Sequence, residues 1–138
     1  MVFIHVKRDP CTNIASALEA RKKQLGDERK WYSFRIPQMP ELLKFEDPVM
    51  QVAGQVYYIN QTVEQKLQNV AEERKMELCY EDFCENPEHY YHILRQKLEK
   101  QGFQISEQYC GAERFQVSRK ETEERIQQGH QKFMELIR

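Results

Sequence analysis

The chain has 138 residues, 40% of them apolar and 31% charged, which fits one soluble globular domain large enough to bury a core. With 21 basic against 22 acidic residues the net charge is −1, so no global field draws in nucleic acid or an anionic membrane. No run approaches the roughly 18 apolar residues of a membrane span, and the first residues lack a signal peptide's long apolar region.

Val2–Val6 (VFIHV) is a short run of β-branched and aromatic residues, read as a buried strand with His5 packed inside it. Asp9-Pro10 then starts a helix: aspartate caps, and proline suits the first helical position, where its missing N–H costs nothing. Ile14, Ala17, Leu18 and Leu25 give this helix an apolar side, and Gly26 stops it. Residues 27–47 read as a long loop with Trp31, Tyr32 and Phe34, whose aromatics suit either an acceptor pocket or packing on the neighbouring helix.

Asp47-Pro48 repeats the start signal, and Val49, Val52, Val56, Ile59, Val63, Leu67 and Val70 recur at steps of three and four along a long helix. Met76–Tyr80 (MELCY) is a second buried strand. Asn86-Pro87 opens another helix with Tyr90, Ile93, Leu94 and Leu98 inward and Gly102 at its end. Ser118 and Glu121 form a capping box, with Arg119 and Lys120 solvated between them. The last helix that follows buries Ile126, Phe133 and Ile137.

Cys11, Cys79, Cys84 and Cys110 form no C-x-x-C pair, and they read as reduced, mostly buried thiols of a cytoplasmic protein. His89 and His92 lie three apart on a helix with no second ligand pair behind them, so they read as surface histidines and no metal is expected.

The strand-helix-helix-strand-helix-helix order implies an α/β fold, with parallel strands joined by crossovers and flanked by helices. Two strands make only a partial parallel sheet, since parallel strands want both faces covered. Part of the sheet is therefore expected to lie outside this chain. In such folds ligands gather at the carboxyl ends of the strands, where helix N-termini meet anions. Lys7 and Arg8 sit at one such end, and Ser16 lies two turns into the next helix. A guanidinium and a hydroxyl suit a phosphate, although a surface arginine and a helix-facing serine explain the same letters.

VKRDPCTNIAS (Val6–Ser16) resembles the 3′-phosphate-binding motif of the sulfotransferases that use 3′-phosphoadenosine 5′-phosphosulfate, a P-loop superfamily. The resemblance places Arg8 and Ser16 on the 3′-phosphate of that co-substrate. LCYEDFCENP (Leu78–Pro87) is similar to a second block of the family and sets Tyr80 beside the adenine. Both blocks occur in the family's order, with a long apolar helix between them, over roughly residues 1 to 100.

The resemblance implies the C-terminal portion of a P-loop-like sulfotransferase fold, residues 1–138 forming a single partial domain. The implied reaction moves a sulfuryl group to a hydroxyl or amine on an unidentified small molecule, glycan or protein. The departures are chemical. None of the five glycines lies in a Gly/Lys/Thr loop of the kind that cradles the 5′-phosphosulfate, and no catalytic base is placed. The chain by itself is therefore expected to be inactive. The alternative is a non-catalytic remnant that binds nucleotide weakly or serves as an interaction module. Glu81 and Asp82, adjacent and divergent, read as structural.

Overall fold

The computed structural model describes residues 1–117 and 123–138, so the expected capping box of Ser118 and Glu121, with Arg119 and Lys120, lies outside the described residues. The elements are β1 (Phe3–Lys7), α1 (Pro10–Leu25), α2 (Met39–Leu42), α3 (Pro48–Leu67), β2 (Lys75–Cys79), α4 (Tyr80–Glu85), α5 (Pro87–Glu99) and α6 (Glu124–Leu136). The fold is mixed α/β, with a small parallel sheet of two strands and flanking helices. The chain divides into two compact units. One takes Met1–Arg8 and Val63–Ser118, and the other takes Asp9–Thr62 and Arg119–Arg138.

The first unit holds the sheet. β1 and β2 pair parallel, Phe3 opposite Lys75 through Lys7 opposite Cys79. With the two-residue period of a strand, His5, Lys7 and Glu77 share one face, and Ile4, Val6, Met76 and Leu78 share the other. Burial departs from expectation here. Met76 is buried, but Ile4 and Val6 on the same face are 44% and 56% exposed, and Phe3 on the other face is 41% exposed. Cover on that face reaches β2 and stops short of β1, so a strand that reads as buried has only His5 enclosed.

Tyr80 is not the last residue of the second strand. It opens α4, a short helix whose first turn carries Glu81 and Asp82, where acidic side chains favour the helix dipole. Asn86 accepts the N–H of His89 at 3.3 Å and starts α5 as expected. Aromatic contacts hold the segment after α5. Phe115 stacks on Phe83 at 5.6 Å between centroids, and its N–H donates to the Cys84 carbonyl at 2.7 Å. The Tyr91 hydroxyl donates to the Ser106 carbonyl at 2.6 Å.

The second unit holds the main apolar core: Ile14 and Leu18 of α1, Leu42 of α2, Val49, Val52 and Ala53 of α3, and Ile126 and Phe133 of α6. Its helices start where the sequence says they should. Asp9 accepts the N–H of Thr12 at 2.8 Å, and Asp47 that of Val49 at 2.9 Å. Gly26 ends α1 in the left-handed conformation at φ 72°, which costs glycine little. Leu25 is exposed, against expectation, because the cap turns the chain away one residue later. Ile137 is half-buried rather than buried, since it lies just beyond the end of α6.

Two buried glutamines, Gln51 and Gln55, sit on α3 where the apolar pattern gave no sign of them. They meet Arg21, which is 1% exposed. Its guanidinium donates to the Glu28 carbonyl and to Gln51 Oε1, each at 3.0 Å, and to Gln55 Oε1 at 3.3 Å, and it lies 5.2 Å from the Trp31 ring. Burial lowers the pKa of this guanidinium. Trp31 packs at the core edge and donates to the Phe34 carbonyl at 2.9 Å, while Tyr32 and Phe34 are exposed.

Candidate functional site

Parallel pairing in register decides which residues meet at the carboxyl end of the sheet. Lys7 and Cys79 are the last paired residues, so Arg8 and Tyr80 follow at the same end of adjacent strands. The Arg8 guanidinium carbon lies 4.6 Å from the centroid of the Tyr80 ring, inside the roughly 6 Å at which a cation and an aromatic face attract. Both side chains are half-buried. Two residues that the sequence offers in separate blocks are therefore in direct contact.

Lys7, the other cation at this end, is taken. Its ammonium lies 2.8 Å from Glu64 and 2.6 Å from Glu77. The two carboxylates hold its pKa above the ordinary value, and the ammonium holds that of Glu64 below its own. Arg8, the next residue along, faces the Tyr80 ring.

Ser16 belongs to the other unit, half-buried on α1. The N-terminus of that helix differs from an open anion seat. Pro10 has no N–H, the N–H of Thr12 and its hydroxyl at 2.7 Å both donate to the Asp9 carboxylate, and the N–H of Asn13 donates to the Asp9 carbonyl at 3.1 Å. The donors of the first turn are largely spent, and a negative charge sits among them. The Asp9-Pro10 pair that caps the helix thereby also works against anion binding at this helix end.

Glu81 accepts from the Cys79 thiol at 3.4 Å, which fits a structural part for this carboxylate. The four cysteines are free, but they are not mostly buried: Cys84 is buried, Cys11 and Cys79 are half-buried and Cys110 is exposed. The exposed one lies in the segment after α5, its sulfur 3.9 Å from the Gln108 carbonyl. The Cys11 sulfur lies 3.8 Å from His130 Nδ1, and burial with the nearby Asp9 charge raises its pKa. His92 contacts Glu88 at 3.4 Å. Among the described residues no group of three or more histidine, cysteine or acidic side chains is placed to hold a metal ion.

A cavity of about 490 Å³ in the first unit is lined by other residues, including His5, Glu64, Glu77, Ile93 and Lys97. It gathers on the His5–Glu77 face of the sheet and takes in neither Arg8 nor Tyr80. No described helix is long and apolar enough to cross a membrane.

No protein-family model, curated protein or solved structure matches the chain. An arginine on a tyrosine at a strand end sets a cation beside an aromatic ring, groups of the kind that meet a phosphate and a purine.

Proposed function

We propose that this chain is a nucleotide-binding portion of a sulfotransferase that uses 3′-phosphoadenosine 5′-phosphosulfate, and that its share of the reaction is the grip on the adenosine 3′-phosphate end. Arg8 holds the 3′-phosphate and Tyr80 borders the adenine. Ser16 adds a hydroxyl to the same phosphate, a role that rests on the spacing of the Val6–Ser16 motif alone. The observation that carries the reading is the parallel register that sets Arg8 beside Tyr80 at one strand end.

Sulfuryl transfer also needs donors on the departing phosphosulfate bridge and a base on the acceptor hydroxyl or amine. No residue here is assigned to either task. The purified chain is therefore expected to transfer no label from the sulfuryl donor above a heat-killed control. Transfer above that control would overturn this division of labour.

The binding reading has its own test. A charge-assisted arginine contact is worth about 1.5–3 kcal/mol and an aromatic stack on a base about 1–3 kcal/mol, against at least about 4 kcal/mol lost on immobilising a ligand. Affinity should be weak, about millimolar, but selective. In a chemical-shift titration adenosine 3′,5′-bisphosphate should bind more tightly than adenosine 5′-monophosphate, and Arg8→Ala should abolish the difference. Equal binding of both to the unmutated chain would remove Arg8 from the phosphate.

A second reading, a non-catalytic interaction module, is favoured by the exposed Phe3, Ile4 and Val6 of β1. An apolar strand left open offers its edge and face to another polypeptide. Strand pairing without any nucleotide preference is the result that would select it.

A further inference from the structure

We infer that the cavity on the His5–Glu77 face of the sheet binds a small zwitterion, an ω-amino acid whose ammonium meets Glu64 and Glu77 and whose carboxylate meets Lys97. The cavity lies within the first unit and takes in neither Arg8 nor Tyr80, so the inference stands apart from the nucleotide reading.

The walls follow from the register. His5 and Glu77 are partners, and Lys75 sits two residues before Glu77, so the three side chains share one face of the sheet. The end of α3 adds Glu64 and Leu67, and α5 adds Ile93 and Lys97. The space they border is about 490 Å³, within the range of small-molecule sites.

Charge is unevenly shared along it. Toward the Lys7 end of the strands two carboxylates share one cation, Lys7 Nζ lying 2.8 Å from Glu64 Oε1 and 2.6 Å from Glu77 Oε1. One negative charge is in excess there, and the second oxygen of each carboxylate can accept from a ligand ammonium. Toward the start of β2 the balance reverses. Glu72 pairs with Lys75 at 3.1 Å, while the Lys97 ammonium donates to the Glu72 carbonyl at 2.7 Å and has no carboxylate partner among the described residues. An ammonium carries three donors, so Lys97 keeps two for an anion.

The two ends are separated by the step from Lys75 to Glu77, about 6.6 Å along a parallel strand. Leu67 and Ile93 supply apolar wall. A spacer of four methylenes suits that span and that wall. A simple cation would leave Lys97 without a counter-charge, and a simple anion would meet the excess carboxylate. A ligand carrying both charges answers both ends.

The test titrates 5-aminopentanoate, pentylamine and pentanoate against the full chain, read by ¹H–¹⁵N chemical shifts. The zwitterion should bind about two- to fivefold more tightly than either singly charged probe, the worth of one partly exposed ion pair. Lys97→Met should bring 5-aminopentanoate down to the level of pentylamine and leave pentylamine unchanged. Glu77→Gln should bring it down to the level of pentanoate. Ile93→Trp, which fills the cavity without touching a charge, should abolish binding of all three. Arg8→Ala should leave all three affinities as they are, so this inference and the nucleotide reading fail separately. Equal binding of the three probes, a zwitterion preference that survives Lys97→Met or Glu77→Gln, or no binding at all would overturn the inference.

Discussion

Arg21 donates to Oε1 of Gln51 at 3.0 Å, and both side chains are buried. The other end of the same carboxamide, Nε2, donates to the Phe45 carbonyl at 2.8 Å. Gln55 repeats the arrangement, accepting from Arg21 and donating to the Tyr32 carbonyl at 3.1 Å. Each glutamine therefore joins a buried cation to the long loop before α3. The acceptors named here are neutral, so the charge is held by dipoles, which is why burial depresses its pKa.

Gln51→Leu should lower stability by about 1–3 kcal/mol, because it leaves a buried arginine donor and a loop carbonyl short of partners. Arg21→Met should also destabilise, and the double variant should cost less than the two singles together, since each single orphans a group that the other change removes. Urea unfolding of the four proteins measures this. Strict additivity would show that the network is not a unit.

Gly129 of α6 lies against Val49 of α3, where an added Cβ would overlap the valine Cβ and Cγ1. Gly129→Ala should cost about 1–3 kcal/mol, because a β-branched neighbour cannot rotate clear. Val49→Ala in the Gly129→Ala background should recover part of that loss. Gly54→Ala, whose nearest obstacle is the end of the Leu42 side chain, should be milder. Thermal melts of the three variants rank them.

The Glu64 carboxyl, held below its ordinary 4.5 by the Lys7 ammonium, contributes stability that is present above that ordinary value and is lost as pH falls through the depressed one. The pair is largely solvated, so the effect should be no more than about 0.2–1 kcal/mol. Lys7→Met should move the Glu64 titration upward in a carboxyl-carbon NMR experiment and flatten the acid limb of the stability curve. An unmoved Glu64 midpoint would show that the pair does not persist in solution.

Thiol modification should follow burial and pKa together. Exposed Cys110 should react first, and buried Cys84 only on unfolding. Cys11, with its raised pKa, should stay slow at neutral pH and accelerate into the alkaline range. Mass mapping of alkylated peptides against time and pH gives the order. Early labelling of Cys84 would contradict the packing of α4.

Local chemistry was legible in the letters. Asp9-Pro10, Asp47-Pro48 and Asn86-Pro87 each start a helix because a short acceptor side chain and a proline satisfy needs that arise within one turn. Gly26 ends α1 for an equally local reason. The parallel relation of the two strands was legible as well, since helices stand between two apolar runs. Burial was not. Ile4 and Val6 carry the same signal as Met76, yet only the three-dimensional arrangement decides that cover reaches β2 and not β1. The same holds for Arg21, Gln51 and Gln55: polar residues have no periodic signature of burial, because what encloses them is a loop from elsewhere in the sequence. It holds for the site too. Arg8 and Tyr80 could each be picked out by motif, but their contact depends on the pairing between strands that sets Lys7 opposite Cys79.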